Sequence, residues 1–249
     1  MLTRNEITFI KSLQSKKNRW EHNLFIAEGS RIVLDILSSI PDRVFQIYAT
    51  SEWVEANQFN LTIFRSKILI ISKLQLQQIA SLKSTEEVIG VFNIKEMFPT
   101  IKNPPSLSLF LYDINDPGNL GSLVRTADWF GIDTLYASKN TVDEFNNKVI
   151  QASMSSIVRV QVIRIDFEEL LDQFNSYQFL AADSKGFTYK QIDISTDKII
   201  CLGNESHGLP ASIINSCTHC IQIPGENRLG AESLNVAIAG SILLSYFAK

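Results

Sequence analysis

The C-terminal stretch Ile199–Lys249 contains IICLGNESHGLP at 199–210 and CIQIPGENRLGAESLNVAIAGSILLSYFAK at 220–249. Two short apolar runs, 199–202 and 221–223, each end in a polar loop that contains glycine, which is typical of buried strands. Ser233 is a predicted N-cap for the helix that follows, and this helix is apolar enough to be buried on most sides. If the two strands are parallel, their ends meet the helix start at one sheet edge, where open α/β proteins bind ligands.

A second polar segment, DINDPGNLGSLVRTADWFGI at 113–132, follows the predicted strand 107–112. Asn119 is placed to cap the helix that begins here. Asn119 and Arg125 are six residues apart, so they do not share one helix face. With Asn119 at the cap, both can still point toward the same end of the sheet. By spacing alone, Arg125 is also consistent with a surface arginine that pairs with an acidic side chain.

The segments GNESHGL, IPG and ESLN, with DINDPGNLGSLVRTADWFGI upstream, resemble the motifs of the SpoU (TrmH-type) RNA 2'-O-ribose methyltransferases in type and order. These enzymes form part of the SPOUT superfamily. The resemblance implies an α/β fold whose C-terminal domain is a trefoil-knotted SPOUT domain with a mostly parallel sheet. It also implies S-adenosylmethionine as cofactor. A further implication is a homodimer through the C-terminal helix and the first motif, in which each site borrows Arg125 from the partner.

The resemblance assigns roles to individual residues. The catalytic set is Arg125, Asn119, Glu205, Ser233 and Asn235, and the cofactor-binding set is Leu202, Gly203, Ile223 and Leu234. Arg125 corresponds to the arginine that acts as general base or orients the 2'-hydroxyl. A guanidinium hardly ever loses its proton, so we expect Arg125 to be essential whether or not it is the base. Gly225 stands where family members usually have methionine, and the loop Gly225–Glu232 is longer than usual, which affects the region near the adenine.

The N-terminal part also reads as alternating strands and helices. We predict strands at 24–27, 44–49, 68–71 and 88–92, and helices at 5–14, 51–57 and 73–82. KKNRW followed by FIAEGSRIV resembles the small α/β RNA-binding domain that precedes many SpoU domains. We therefore predict an N-terminal substrate-binding domain at 1–99, a proline-rich linker at 100–106 and the methyltransferase domain at 107–249.

Within the methyltransferase domain, further elements follow from the apolar pattern. We predict strands at 135–137, 158–163 and 179–182, a loop and helix within 143–153, and a helix at 167–174. The segment Asp183–Gly186 reads as a turn that ends the strand before it.

The charge distribution bears on the RNA partner. The net charge is −3, but residues 1–99 carry 12 basic and 10 acidic side chains, whereas residues 100–249 carry 11 and 16. Lys16, Lys17 and Arg19, beside Trp20 and His22, are predicted to contact RNA phosphate and bases. A solvated turn explains this cluster equally well. Ribosomal RNA is the favoured substrate and tRNA the second.

Composition limits the compartment. No apolar run is long enough to span a bilayer, and the N-terminal segment is helix-like and carries an acidic residue, unlike a signal peptide. Three cysteines, an odd and low number, favour a reducing compartment, so we predict a cytoplasmic protein.

Other chemistries fit less well. Gly118–Gly121 follows a strand and opens a helix, but it lacks the spacing of phosphate-binding loops. Cys217–Cys220 is a CxxC with too few further ligands for zinc, so we expect no metal. Glu205, Ser206 and His207 are adjacent in one loop and have no nucleophile elbow, which argues against hydrolysis. The alternative to the enzyme is a non-catalytic RNA-binding protein of the same fold, and the intact motif residues argue against it.

Overall fold

The structure is a computed structural model that describes residues 2–82, 87–94, 105–226 and 233–248. The chain forms two compact units. The N-terminal unit comprises Met1–Pro99 and Phe145–Arg159, and the C-terminal unit comprises Thr100–Glu144 and Val160–Lys249. Of the predicted linker, residues 100–104 lie outside the described ranges.

The N-terminal unit is built around a four-stranded sheet in the order β1-β4-β2-β3. Strand β4 is antiparallel to both β1 and β2, and β3 lies parallel to β2 at the edge. The predicted strands and helices of this region are confirmed, with ends that differ by a few residues. In chain order the elements are α1 Arg4–Ser12, α2 Lys16–His22, β1 Leu24–Glu28, α3 Ser30–Ser39, β2 Val44–Ala49, α4 Ser51–Ala56, β3 Ile68–Ile70, α5 Lys73–Ile79 and β4 Val88–Asn93.

The predicted basic cluster belongs to a helix rather than to a turn. Helix α2 contains it, and Lys16 and Lys17 are exposed. Arg19, in contrast, is only 2% exposed. Its Nη1 donates hydrogen bonds to the carbonyl oxygens of Leu13 (3.0 Å) and Gln14 (2.8 Å). Because this guanidinium binds backbone carbonyls inside the fold, Arg19 stabilises the end of α1. At 2% exposure it is not accessible for the predicted contact with RNA phosphate.

A segment from the later part of the chain completes the N-terminal unit. It includes helix α7, Asn147–Ser153. Phe145 is buried, and its ring centroid lies 5.1 Å from that of Phe25 and 5.8 Å from that of Trp20. The Gln151 side chain donates a 2.8 Å hydrogen bond to the carbonyl of Glu28 in β1. These contacts give the N-terminal unit part of its core from residues that follow the predicted linker.

The C-terminal unit is a six-stranded sheet in the order β10-β8-β9-β5-β6-β7, and every strand pair in it is parallel. The predicted α/β fold with a mostly parallel sheet is confirmed, whereas the knot stays a prediction. The two central strands are buried along their whole length, which fits their continuous apolar runs. The elements are β5 Leu107–Leu111, α6 Pro117–Trp129, β6 Thr134–Ala137, β7 Gln161–Arg164, α8 Phe167–Gln173, β8 Gln178–Thr188, β9 Lys198–Leu202, α9 Ala211–Ser216, β10 His219–Gln222 and α10 Val236–Phe247.

Strand β8 differs from the prediction that it ends at a turn. The Asp183 carboxylate accepts a hydrogen bond from the backbone N–H of Lys185 (2.8 Å), but residues 183–186 belong to the continuous strand β8. Ala181 pairs with Cys220 and Phe187 pairs with Ile221, the next residue of β10. Residues 182–186 are therefore an insertion within one strand, and the prediction that the strand ends at 182 was wrong.

Helix α10 packs on the sheet with one face only. Its buried side is Ala237, Gly240, Leu243, Leu244 and Phe247. Ile238 is 53% exposed, so the expectation of burial on most sides was wrong. Across the described ranges, no helix combines the length and the apolar content needed to cross a membrane.

Candidate active site

The site forms where two adjacent parallel strands end. Leu111 of β5 pairs with Leu202 of β9, and the backbone N–H of Tyr112 donates a 2.9 Å hydrogen bond to the Leu202 carbonyl. The polar loops that leave these strands therefore start side by side at the carboxyl edge of the sheet.

The loop after β9 is tight and is stabilised by its own groups. Asn204 and Gly208 exchange backbone hydrogen bonds of 3.2 and 2.9 Å. The Asn204 side-chain oxygen accepts hydrogen bonds from the N–H groups of Ser206 (2.8 Å) and His207 (3.2 Å). A Cβ atom on Gly203 would lie 2.3 Å from the backbone of Gly208, so only glycine fits there.

Glu205, at the tip of this loop, is held by the start of α6. Its carboxylate accepts hydrogen bonds from the side-chain amide of Asn119 (2.9 Å) and the N–H groups of Asp116 (3.2 Å) and Asn115 (3.3 Å). Burial acts to raise the pKa of Glu205, but these hydrogen bonds outweigh it and hold the pKa below its ordinary value. Glu205 is therefore an anion at neutral pH and an acceptor of hydrogen bonds.

Asn119 continues the chain of contacts to α10. Its side-chain oxygen accepts a 2.9 Å hydrogen bond from the side-chain amide of Asn235. The Asn235 oxygen in turn accepts from the N–H groups of Ala237 (2.9 Å) and Ile238 (3.3 Å) at the start of α10. Three of the five residues predicted as catalytic thus form one connected polar chain, which we call the Asn119–Glu205–Asn235 chain.

The helix caps differ from the predicted ones. Asp116, not Asn119, caps α6, and its carboxylate accepts the Asn119 N–H at 2.8 Å. Asn235, not Ser233, caps α10, and Ser233 lies exposed two residues before it. In both cases a residue type that favours capping lies close to the true cap, three positions after it at α6 and two positions before it at α10. An acidic residue directly before Pro117 was a signal that could have located the first cap.

Arg125 stands apart from this chain. It is exposed on α6, and its guanidinium makes no hydrogen bond or ion pair with the residues that the structure describes. On the same helix, Trp129 is 84% exposed. A single copy of the protein therefore brings together Asn119, Glu205 and Asn235 and leaves the guanidinium free for another molecule.

Helix α10 is seated closely against α6 and β9. A Cβ atom on Gly240 would lie 2.4 Å from Leu123 and 2.9 Å from Leu202, so this glycine allows the close approach. The hydroxyl groups of Thr126 and Ser241 are 3.0 Å apart and join the two helices by a hydrogen bond. The tight packing fixes Asn235 relative to Asn119.

The residues predicted to bind the cofactor are not equivalent in the structure. Leu202 is 1% exposed, and its side chain faces Gly240, so it supports the site from within. Ile223, just after β10, is half-buried, and Leu234 is 47% exposed. The accessible apolar side chains of Ile223 and Leu234 fit a cofactor that is held partly by apolar contact. Residues 227–232, most of the unusual loop, lie outside the described ranges.

The three cysteines bear on the alternative of a zinc site. Cys201, Cys217 and Cys220 are free thiols. The described residues contain no group of three or more histidine, cysteine, aspartate or glutamate side chains arranged to hold a metal ion. Burial, together with the neighbouring Cys217, raises the pKa of the Cys201 thiol well above its usual value, so Cys201 behaves as an apolar core residue.

Comparison with protein families identifies both parts of the chain. Residues 106–245 match the SpoU rRNA Methylase family, and residues 4–90 match the MRM3-like substrate binding domain. The chain belongs to the SpoU rRNA methylase family.

Individual relatives agree with this membership. The chain is 27% identical to the 23S rRNA (guanosine(2553)-2'-O)-methyltransferase RlmP of Bacillus subtilis, covering 94% of this chain and 92% of that protein. An AdoMet-bound rRNA methyltransferase from Sinorhizobium meliloti has a TM-score of 0.81 and 26% identity and covers 98% and 94% of the two chains. AviRb from Streptomyces viridochromogenes, with a TM-score of 0.80, 19% identity and coverage of 99% and 97%, supports the fold alone. The predicted enzyme class, an RNA methyltransferase that uses S-adenosylmethionine, is confirmed.

Proposed function

We propose that this SpoU enzyme transfers a methyl group from S-adenosylmethionine to a ribose 2'-hydroxyl of ribosomal RNA. The observation that carries the proposal is the Asn119–Glu205–Asn235 chain, which joins three motif residues at the carboxyl edge of the sheet. The similarity to RlmP, a 23S rRNA 2'-O-methyltransferase, over nearly the whole of both chains supports this substrate class over tRNA.

Different residues of the chain bind the cofactor and position the reacting groups. Gly203, Ile223 and Leu234 hold the cofactor, which supplies an electrophilic methyl group when bound. Glu205, kept anionic by its hydrogen bonds, accepts hydrogen bonds from donor groups in the site and orients them. The Asn119 side chain donates a hydrogen bond to that carboxylate and accepts one from Asn235, so it links the positions of Glu205 and Asn235. Holding the reacting groups in line is the main source of acceleration in such a transfer.

Arg125 acts on the RNA. A guanidinium offers several donors in a fixed plane, which suits a phosphate or a ribose oxygen. Beside a phosphate it orients the 2'-hydroxyl for attack, and the proton of that hydroxyl leaves to the Glu205 carboxylate, either directly or through the Ser233 hydroxyl, which then gives up its own proton. Ser233 is exposed two residues before the cap of α10, which leaves its hydroxyl accessible to substrate.

The active form is a homodimer. The exposed faces of α6 and α10 carry Trp129 (84% exposed) and Ile238 (53% exposed), and large exposed apolar side chains of this kind mark a surface that a partner covers. Arg125 shares this exposed side of α6 and has no partner among the described residues. We assign it to the active site of the second copy, so that each site receives Arg125 of the partner subunit.

The N-terminal unit delivers the RNA. Its match to a substrate-binding domain over residues 4–90 supports this role, and the exposed Lys16 and Lys17 provide the phosphate contacts. Trp20, 42% exposed, offers a surface for base stacking. We place the reaction in the cytoplasm, consistent with three free thiols.

The test is methyl transfer from labelled S-adenosylmethionine to unmodified ribosomal RNA and, separately, to unmodified tRNA. We expect label in ribosomal RNA, its loss in Arg125→Ala, and its retention in Lys185→Ala, which removes an exposed cation elsewhere in the C-terminal unit. Label only in tRNA would show that the substrate is tRNA rather than ribosomal RNA. If neither RNA is labelled, calorimetry with S-adenosylhomocysteine decides between an enzyme that needs a ribosomal particle and a protein that only binds RNA. Leu234→Arg then serves as the control that abolishes cofactor binding.

A further inference from the structure

Asp113 has an unusual backbone conformation next to the active site. It follows Tyr112 at the exit of β5 and has a φ of 51°, in the left-handed region. Residues with a Cβ atom rarely adopt this conformation, and aspartate does so mainly where its short side chain forms local hydrogen bonds. Asp113 lies two residues before Asn115, the first of the N–H groups that hold Glu205.

Ser138 locks this conformation from the loop after β6. Its hydroxyl accepts the backbone N–H of Asp113 at 2.8 Å and donates to the Asp113 carboxylate at 2.6 Å. The side-chain amide of Asn140 reaches the other carboxylate oxygen at 3.4 Å, and Thr141 accepts the N–H of Ile114 at 3.3 Å. Ser138 thus holds both the main chain and the side chain of Asp113, while Asn140 adds a contact to the carboxylate and Thr141 one to the next N–H.

The loop that supplies these neighbours is itself rigid. Arg164, at the end of β7, donates to the carbonyl oxygens of Ser138 (3.1 Å), Thr141 and Val142 (2.7 Å). The same guanidinium forms a salt bridge with Glu144, which is buried. Because the planar guanidinium of Arg164 binds three carbonyl oxygens of this loop at once, it holds the loop in the observed conformation.

On its other side, Asp113 contacts the loop that carries Glu205. The Asp113 carbonyl accepts a 2.8 Å hydrogen bond from the side chain of Asn204, the residue before Glu205. The side-chain oxygen of Asn204 also accepts hydrogen bonds from the backbone N–H groups of Ser206 and His207 in its own loop. Asp113 therefore lies between a rigid support and both of the segments that set the position of the Glu205 carboxylate.

We infer that Asp113 is a positioning residue for the methyl transfer, and that it acts through Ser138 and Asn204 to place Glu205. This inference rests on the proposed function for its activity readout, although the contacts themselves are independent of the reaction. None of the sequence motifs singled out Asp113, because its role depends on a left-handed turn and on a serine 25 residues away.

The activity test separates the carboxylate from the backbone. Asp113→Gly permits a positive φ and removes the side chain, whereas Asp113→Asn tolerates the same φ and keeps an oxygen that accepts from Ser138. We expect Asp113→Gly to lower kcat about tenfold with a nearly unchanged KM for S-adenosylmethionine, and Asp113→Asn to restore most of it. Asp172→Ala, which removes an exposed carboxylate on α8, is the control. Wild-type kcat in Asp113→Gly, or equal losses in both variants, would overturn the inference.

A second measurement needs no activity. Amide hydrogen exchange of Asn115 and Asp116 reports whether their N–H groups remain bound to Glu205. We expect faster exchange at these two amides in Asp113→Gly, normal exchange in Asp113→Asn, and unchanged protection in β5. Unchanged exchange at the two amides would overturn the inference even if kcat fell. If the wild type methylated no RNA while the exchange behaved as expected, the proposed function would fail and the placement of Glu205 by Asp113 would stand.

Discussion

Gly203→Ala probes the loop after β9 most directly. A Cβ atom at this position would lie 2.3 Å from the backbone carbon of Gly208 and from the nitrogen of Leu209, whereas ordinary contacts begin at 3.4 Å. The obstacle is the peptide unit that joins Gly208 and Leu209, so the loop 204–208 must move by about 1.1 Å to make room. Glu205 lies in this loop and moves with it.

The size of the effect follows from that displacement. A misplacement of about 1 Å in an active site costs on the order of 100-fold in rate. We therefore expect kcat/KM to fall about 100-fold, which corresponds to about 2.7 kcal/mol of lost transition-state stabilisation. Overpacking should also destabilise the fold by about 1–3 kcal/mol. Weaker binding of S-adenosylhomocysteine should accompany both changes.

Gly225→Ala is the matched control. Among the described residues, a Cβ atom on Gly225 meets nothing within 4 Å, and its φ is not in the left-handed region. The same substitution there should change the free energy of unfolding by less than about 0.5 kcal/mol. The assays are calorimetry with S-adenosylhomocysteine, steady-state methyl transfer and thermal unfolding. Wild-type cofactor affinity and rate in Gly203→Ala would show that the loop yields freely and would refute the reasoning.

Three further predictions address the dimer and the N-terminal unit. Mixing the inactive variants Arg125→Ala and Glu205→Gln should restore activity, because one site of the mixed dimer then has both wild-type groups. If activity does not recover after verified subunit exchange, Arg125 acts in the active site of its own subunit. Phe145→Ala should destabilise the N-terminal unit by about 3–5 kcal/mol in denaturant unfolding, since a buried ring is lost; a fragment 1–99 as stable as that unit in the full chain would contradict this. Replacing Lys16 and Lys17 by alanine should reduce the slope of log affinity for RNA against log salt by about 2, measured by filter binding, and an unchanged slope would exclude both phosphate contacts.

Local pattern was a good guide to the elements of the fold. The predicted strand 44–49 has the bounds that the structure gives β2, and the helix predicted within 236–247 is α10. These predictions succeeded because apolar periodicity and turn residues act over a few neighbouring positions. The same locality explains the error at β8, where residues 183–186 have the composition of a turn but form an insertion within one strand, which pairs with β10 before and after them.

The candidate site was predictable as a set of residues but not as an arrangement. The resemblance to SpoU motifs named Asn119, Glu205 and Asn235 together. It could not indicate that one carboxylate and two amides form a continuous chain, because those hydrogen bonds join residues 86 and 116 positions apart. It assigned no role to Asp116 and Asp113, although both lie in the quoted motif, because their contributions arise from backbone groups at the start of α6 and from a left-handed turn.

The sequence by itself determined the family, the alternation of strands and helices and the identity of the motif residues, since each depends on side chains close together along the chain. Only the tertiary structure decided that Arg19 is buried, that Phe145 joins the N-terminal core, and that Arg125 lies on an exposed helix face with no partner among the described residues. The physical reason is that burial and long-range hydrogen bonds depend on which strands become neighbours. The order β10-β8-β9-β5-β6-β7 brings the loops after β5 and β9 together, and no local pattern records that order.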